Sequence, residues 1–152
     1  MAQVTSRITI RAPAEWVFKT ITNPREAVRL IPGGVRVTHV PRLPLVRGSE
    51  VRWEFILLGV PLRGKWTVDE LNSPTFYLAR TSGGVNGRLL YTILPRGSSC
   101  RLTFDFDYQV PQSVIRRFAF SFVEPHVQRI IDGYLLSLKA FVEQRVLGKK
   151  PK

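Results

Sequence analysis

The residues of this sequence with the widest chemical range are its two histidines, His39 and His126. His39 shares the parity of Val35 and Val37 in a predicted strand, and His126 follows Pro125 at a predicted helix bend. If both side chains face one interior space, they could act as acid and base in proton abstraction next to a carbonyl group. The alternative is a structural role, in which each imidazole is solvated or hydrogen-bonded locally.

Other catalytic or metal-binding patterns are not indicated by the sequence. Asp105 and Asp107 alternate with aromatic residues of a predicted strand, so they point to solvent and form no converging pair of carboxylates. Cys100 shares the parity of inward residues and is expected to be a small buried hydrophobe. Two distant histidines and one cysteine give no metal-ligand spacing, so no metal is predicted and no residue is assigned a catalytic role.

The aromatic residues are better candidates for a site, because many of them fall on faces predicted to point inward. Tyrosine and tryptophan carry polar tips that need partners when buried, and such tips can orient a mostly apolar ligand. Tyr91, Tyr108 and Tyr134, with His39 or His126, would supply those few polar contacts. The predicted ligand-binding residues are His39, Trp53, Phe55, Trp66, Tyr91, Phe106, Tyr108, Phe122, His126 and Tyr134.

The elements that would position these residues are mostly β-strands, because apolar and polar residues alternate with a period of two over long stretches. Residues 4–11 form the first strand, and two short helices follow, one opening at Pro13 and one at Arg25. Six further strands are predicted between Val35 and Val110, separated by turns rich in proline and glycine. Strands joined by short turns pair as antiparallel neighbours, so one seven-stranded antiparallel sheet is predicted.

The fifth of the seven predicted strands carries an arginine at an inward position. Phe76, Leu78 and Arg80 alternate there and are predicted to share the inward face. Arg80 would then either face the interior as an anion clamp or extend its guanidinium past the strand end into water. The second interpretation is favoured, because it keeps the charge hydrated.

The last long segment, residues 111–146, has apolar residues at steps of three and four, the period of one buried helical face. About 35 residues of helix would be about 50 Å long, so a bend is predicted, and Pro125 lacks the N–H donor that a straight helix uses. The sheet is expected to curl around this helix. Because a curved sheet and a cylinder differ in shape, a gap suited to a small ligand is expected between them.

Composition and charge limit the classes of function. The chain of 152 residues is predicted to be one globular domain, with no apolar run that could span a bilayer and no signal pattern, so a cytoplasmic location is expected. The net charge of +12 favours acidic partners; peripheral contact with an anionic membrane is compatible with ligand binding and fits it better than contact with nucleic acid does. No nucleic-acid-binding motif accompanies the charge, and the basic residues are spread along the chain as on a generic solvated surface.

Three segments resemble one known superfamily: residues 8–18 (ITIRAPAEWVF), residues 30–33 (LIPG) and residues 134–143 (YLLSLKAFVE). With the order of elements, they are similar to the START-like superfamily, which includes polyketide cyclase/dehydrase and lipid-transport proteins. The resemblance implies an α+β helix-grip fold, with a seven-stranded antiparallel curved sheet around a long C-terminal helix and two short helices after the first strand. The domain is predicted to cover residues 1–147, followed by a basic C-terminal tail, residues 148–152.

The resemblance also implies a class of function. The expected partner is a hydrophobic or amphipathic small molecule, such as a lipid, quinone or polyketide-like compound, held between the sheet and the C-terminal helix. One alternative is an aromatase/cyclase or dehydratase acting on a polyketide-like substrate, and another is a basic-surface protein that contacts RNA or the ribosome. No cofactor is predicted for any of the three.

Overall fold

The computed structural model describes residues 2–149. Over this range the chain forms strands and helices in the order predicted from the sequence. They are β1 (Ala2–Ile10), α1 (Ala14–Ile21), α2 (Pro24–Arg29), β2 (Arg36–His39), β3 (Glu50–Leu57), β4 (Val60–Asn72), β5 (Phe76–Gly83), β6 (Gly87–Arg96), β7 (Ser99–Tyr108), α3 (Gln112–Ile115) and α4 (Phe120–Lys149).

The described strands form one antiparallel seven-stranded sheet in the order β1-β7-β6-β5-β4-β3-β2. Strands β2 to β6 each pair with the next strand along the chain, as short turns require, and β1 pairs with β7 over its whole length. The predicted α+β fold, a curved antiparallel sheet with a long C-terminal helix and two short helices after the first strand, is confirmed.

Helix α4 lies on the apolar face of the sheet. Its buried residues recur at steps of three and four, as expected for one helical face packed on a core. They are Val123, Val127, Ile131, Tyr134, Leu135, Leu138 and Val142. Each such side chain stabilises the fold by about 1.5–3 kcal/mol through its removal from water.

Polar contacts fix α4 along the edge strand β1. The Ser6 hydroxyl donates a hydrogen bond to the Asp132 carboxylate at 2.7 Å, and Lys139 Nζ donates one to the Thr9 carbonyl at 3.1 Å. The edge strand of a sheet leaves some backbone groups unpaired, and here the helix satisfies two of them, the carbonyls of Thr5 and Thr9, through Gln128 and Lys139. These contacts set the position of α4 along the sheet.

The break in the C-terminal helical segment differs from the predicted one. The bend was expected at Pro125, but α3 ends at Ile115 and residues 116–119 form a turn before α4 begins. Val114 is fully buried and packs α3 on the core, while the amides of residues 117 and 118 both donate to its carbonyl and end the helix. Pro125 lies in the second turn of α4. Its missing N–H removes one helical hydrogen bond close to the N-terminal end, where the first four N–H groups have no helical partner in any case.

The inward face of β5 is the opposite of the predicted one. Tyr77, Ala79 and Thr81 are buried, whereas the expected Phe76 and Leu78 are only half-buried. Cross-strand partners point to the same face of a sheet, and Tyr77 pairs with the inward residue Tyr91 of β6.

Arg80 accordingly points away from the core and is exposed. Its guanidinium Nε donates to the Asp69 carboxylate at 2.8 Å. The anion clamp is therefore excluded for this side chain, and the arginine belongs to the solvated outer face of the sheet.

The predicted domain boundary falls within α4. The expected tail, residues 148–152, begins before the end of the helix, which continues to Lys149. Residues 150–152 lie outside the described residues, so the tail stays a prediction there. None of the helices in residues 2–149 combines the length and the apolar character that a membrane-spanning helix requires.

Candidate functional site

A cavity of about 170 Å³ lies between the concave face of the sheet and α4. Its walls come from β3 to β7, from α4, and from the connections that follow α2, β5 and β7. The lining residues are Ile31, Val35, Trp53, Phe55, Leu57, Leu62, Trp66, Thr81, Val85, Leu89, Tyr91, Phe104, Phe106, Tyr108, Pro111, Val127, Ile130, Ile131 and Tyr134. Among these described residues none carries a charged side chain.

Most of the predicted site residues meet in this cavity. They come from strands β3, β4, β6 and β7 and from helix α4, and their inward parity follows the predicted alternation. The predicted residues that line the cavity are Trp53, Phe55, Trp66, Tyr91, Phe106, Tyr108 and Tyr134. Whether these residues contact a ligand stays a prediction.

Both histidines lie away from the cavity walls, which corrects their expected placement. The β2–β3 register shifts between Val37 and His39, so the alternation that would point His39 inward is interrupted, and its side chain is exposed. His126 is half-buried next to Val127, one residue off the helical face that lines the cavity. The structure therefore does not bring the two imidazoles together as an acid and base pair.

Phe122 is the third predicted site residue outside the cavity. Its side chain is 52% exposed and stacks on Phe118, with ring centroids 5.6 Å apart. The helical period had placed it on the inward face, but that period was read across the break between α3 and α4. Because α4 begins at Phe120, after this break, residue 122 does not lie on the helical face that an unbroken period predicts.

One hydrogen bond connects the two walls of the cavity. The hydroxyls of Tyr91 on β6 and Tyr134 on α4 lie 2.8 Å apart. Burial raises the pKa of Tyr134 to about 12, with the hydrogen bond from Tyr91 opposing the rise. Burial, followed by the proximity of Tyr134, raises the pKa of Tyr91 well above its usual value. Both phenols are therefore neutral over the physiological pH range.

Three other polar groups in the cavity wall have no hydrogen-bond partner among the described residues. They are the Trp66 indole Nε1, the Thr81 Oγ1 and the Tyr108 hydroxyl, and all three atoms are buried. Burial, followed by the proximity of Glu124, raises the pKa of Tyr108 to about 12. A native structure pairs the great majority of its buried polar groups, so three orphans in one cavity indicate that something else satisfies them.

Thr81 is the polar cavity residue that the sequence analysis missed. Phe76 and Leu78 predict that the even-numbered residues of β5 point inward, and that prediction places Thr81 on the outer face. A signal for the correct parity exists, because Tyr77, Ala79 and Thr81 also alternate. Both faces of this strand carry apolar residues, so alternation alone does not decide between them.

Metal chemistry finds no support in the part of the chain that the structure describes. No group of three or more histidine, cysteine, aspartate or glutamate side chains there is positioned to hold a metal ion. Cys100 is buried among core residues, and its burial, followed by the proximity of Glu15, raises its pKa to about 11. A thiol with a raised pKa is mostly protonated and a poor nucleophile.

Comparison with known families gives one match over nearly the whole chain. The family described as polyketide cyclase/dehydrase and lipid transport matches residues 1–143. No match was found among the curated proteins.

Solved structures share the fold at low sequence identity. A protein from Thermus thermophilus superposes with a TM-score of 0.77 at 14% identity, covering 98% of this chain and 100% of the other. A START superfamily protein from Mycobacterium smegmatis has a TM-score of 0.73 at 17% identity, covering 93% and 97%. The Zhui aromatase/cyclase from a Streptomyces species has a TM-score of 0.67 at 15% identity, covering 95% of each chain. These similarities support the same fold.

Proposed function

The chain belongs to the START-like polyketide cyclase/dehydrase and lipid transport family, and on that premise we propose that it binds a hydrophobic or amphipathic small molecule between its sheet and α4. The observation that carries the proposal is the cavity itself, whose wall is apolar and aromatic with a few uncharged polar groups. Such a wall is typical of small-molecule sites. A lipid, a quinone or a polyketide-like compound has the matching chemistry.

The size of the cavity indicates how such a ligand would be held. Its volume of about 170 Å³ is similar to that of an engineered cavity of about 150 Å³ that accepts benzene. Burying about 150 Å² of ring surface at about 25 cal/mol per Å² contributes about 4 kcal/mol. That amount corresponds to about millimolar affinity, so a tightly bound ligand would need further contacts beyond one ring.

The ionisable groups in the wall favour binding over the cyclase alternative. They are the tyrosines Tyr91, Tyr108 and Tyr134, whose pKa values are all raised by burial. An efficient general base has a pKa near the working pH, and these phenols keep their protons there. The two histidines that would fit this role lie outside the cavity wall.

The proposal is tested by native mass spectrometry of the purified protein, followed by organic extraction of whatever is released. We expect a co-purifying apolar molecule at near one-to-one stoichiometry. Leu89→Trp fills the cavity from β6 and should abolish this cargo. Leu94→Trp is the matched control, because Leu94 lies on the same strand with its side chain 52% exposed, and it should keep the cargo. A cargo that both variants retain equally, or an empty wild-type protein, would contradict the proposal.

We further propose that the segment from Pro111 to Val127 docks on an anionic membrane and so brings the cavity close to its ligand. Both end residues line the cavity. Between them Ile115, Phe120 and Phe122 are 43%, 45% and 52% exposed, an unusual amount of apolar surface for one short segment.

Charge favours a bilayer as the partner of this segment. Arg116 and Arg117 are both exposed within it, and its one acidic residue, Glu124, is half-buried. Each basic residue near an anionic membrane contributes about 1 kcal/mol, and exposed phenylalanines can enter the interface beside them. The net charge of +12 acts in the same direction over the whole molecule.

Vesicle co-sedimentation tests the docking proposal. The protein should bind phosphatidylserine-containing vesicles and not pure phosphatidylcholine vesicles, and the Phe120→Ser/Phe122→Ser variant should lose most of that binding. Leu94→Ser is the control, because it removes a similarly exposed apolar side chain from β6. Equal loss in the control, or salt-dependent retention of RNA with no binding to vesicles, would overturn the proposal.

A further inference from the structure

We infer that the ligand of this cavity is neutral and carries oxygen atoms that accept hydrogen bonds from one row of polar side chains, Trp66, Thr81 and Tyr108. The inference rests on the proposed binding function and names the chemistry of the molecule bound. It starts from the three cavity-wall groups whose polar atoms are buried without a partner among the described residues.

The strand register places these three side chains in one line across the sheet. Trp66 on β4 pairs with Thr81 on β5, and Thr81 pairs with Gly87 on β6. Gly87 in turn pairs with Tyr108 on β7. Laterally paired residues point to the same face, so the three polar groups lie in a single row facing the cavity.

The row has a gap where Gly87 stands between Thr81 and Tyr108. A Cβ built at this position would lie 2.1 Å from the Asp107 carbonyl oxygen, so no side chain fits there. Neighbouring strands are about 4.8 Å apart, which puts Thr81 and Tyr108 about 10 Å apart at their Cα atoms. Between Thr81 and Tyr108 the row therefore consists of backbone only.

The neighbouring rows do not offer the same chemistry. The next row along the sheet consists of Ala79, Leu89 and Phe106, which are apolar. The row beyond it contains Tyr77, which does not line the cavity, and Tyr91, whose hydroxyl is already paired with that of Tyr134. Polar atoms of a ligand would thus find unsatisfied partners on the Trp66 row and not on the other two.

The donor types determine what the ligand must present. An indole N–H only donates, whereas the hydroxyls of Thr81 and Tyr108 can donate or accept. The Trp66 indole N–H lies close enough to the Tyr77 hydroxyl to oppose, as a hydrogen-bond donor does, the rise in the Tyr77 pKa that burial causes, but the two atoms do not reach full hydrogen-bond geometry. An oxygen atom of a carbonyl, ether or hydroxyl group can accept a hydrogen bond from any of the three wall groups.

A charged ligand group would not be matched here. None of the described residues lining the cavity is cationic, so a carboxylate or phosphate would lose its hydration without gaining a counter-ion. Glu124 lies close enough to Tyr108 to raise its pKa, and it would repel an anion at that end of the row. The buried part of the ligand is therefore uncharged.

Three probes of nearly equal shape test this inference by isothermal titration calorimetry. They are 2-acetylnaphthalene, its hydrocarbon analogue 2-ethylnaphthalene and the anion 2-naphthoate. One recovered hydrogen bond corresponds to a factor of about five in Kd, so the ketone should bind at least about five times more tightly than the hydrocarbon. The anion should bind more weakly than both.

Substitutions in the row identify where the oxygen binds. Thr81→Val/Tyr108→Phe keeps the shape of the wall but removes two hydroxyls, and it should lower the ketone preference at least about threefold. Its effect on the Kd of the hydrocarbon should be small. Thr92→Val, on the outer face of β6, is the matched control and should leave the preference unchanged.

A stability measurement on the free protein provides a second readout. If the Thr81 hydroxyl has no partner, Thr81→Val should leave Tm unchanged or raise it, because an uncompensated buried group is removed. A clear fall in Tm would show that the hydroxyl is bonded inside the protein and would overturn the inference. Equal binding of ketone and hydrocarbon would overturn the inference alone, whereas failure of all three probes to bind would overturn the binding function as well.

Discussion

The hydroxyl pair of Tyr91 and Tyr134 yields the sharpest quantitative prediction, because it connects the sheet to α4 inside the cavity wall. The two oxygen atoms are 2.8 Å apart, and both side chains are almost completely buried. Tyr91→Phe would leave the Tyr134 hydroxyl without its partner in an apolar environment. Such an orphaned group costs about 1–3 kcal/mol of stability, and Tyr134→Phe should cost a similar amount.

The double variant Tyr91→Phe/Tyr134→Phe should be less destabilised than either single variant. Removing both hydroxyls leaves two apolar rings of nearly the same shape, and that exchange is close to neutral. The coupling energy from the double-mutant cycle should therefore be close to the sum of the two single costs, at least about 2 kcal/mol in magnitude, well above the limit of about 0.5 kcal/mol for independent sites.

Urea denaturation followed by circular dichroism measures each corner of this cycle. The midpoints should shift while the m-value stays constant, since none of these changes alters the surface exposed on unfolding. Tyr77→Phe is the matched control: the Tyr77 ring stacks on that of Tyr91 at 5.4 Å, but no hydrogen bond joins it to Tyr134 in the described structure. In the double variant Tyr77→Phe/Tyr134→Phe, the two changes in the free energy of unfolding should add.

Additive single effects at Tyr91 and Tyr134 would contradict the predicted coupling between the two hydroxyls. They would show that each hydroxyl is satisfied independently, as it would be if water entered this part of the cavity. The hydroxyl pair would then be part of a wet site rather than a connection between sheet and helix.

Three further predictions follow from burial. Cys100 should react slowly with a thiol reagent in the native protein and rapidly in urea, because it is buried and its pKa is raised to about 11; equal rates in the two states would contradict this. The free energy of unfolding should fall between about pH 10 and pH 12, because the pKa of Tyr134 is raised from 10.0 to about 12, so the native state holds this proton after the unfolded chain releases it; unfolding midpoints that stay level across this range would rule it out. Leu138→Ala, at a fully buried position of α4, should cost about 2–5 kcal/mol, whereas Leu136→Ala, at a position 61% exposed, should have little effect in the same denaturation assay.

The order of elements was predictable because it depends on local patterns. Strands β1, β3, β6 and β7 each have one apolar face, and their period-two alternation identified the inward residues correctly. This alternation predicts five aromatic residues of the cavity wall, including Trp53 and Phe106, and the same alternation in β4 predicts Trp66. The helical period of α4 predicts Tyr134. Proline and glycine marked the turns between strands, and short turns imply antiparallel neighbours.

Other features depended on residues far apart in the chain. Both faces of β5 carry apolar residues, so its orientation was set by pairing with β6, which buries Thr81 and exposes Arg80. The register shift in β2 turned His39 outward, and the packing of Val114 placed the helix break before Pro125. Each outcome results from competition between alternatives that look alike over a short stretch of sequence.

Local sequence patterns predict an apolar interior with a few tyrosines and tryptophans, enclosed by an antiparallel sheet and a C-terminal helix. The row that Trp66, Thr81 and Tyr108 form, with polar atoms that have no partner among the described residues, exists only in the folded sheet, because the three side chains come from different strands. A strand's own pattern specifies which of its side chains share a face, whereas lateral alignment depends on the register between strands. That alignment brings together the three groups to which the uncharged, oxygen-bearing ligand is proposed to bind.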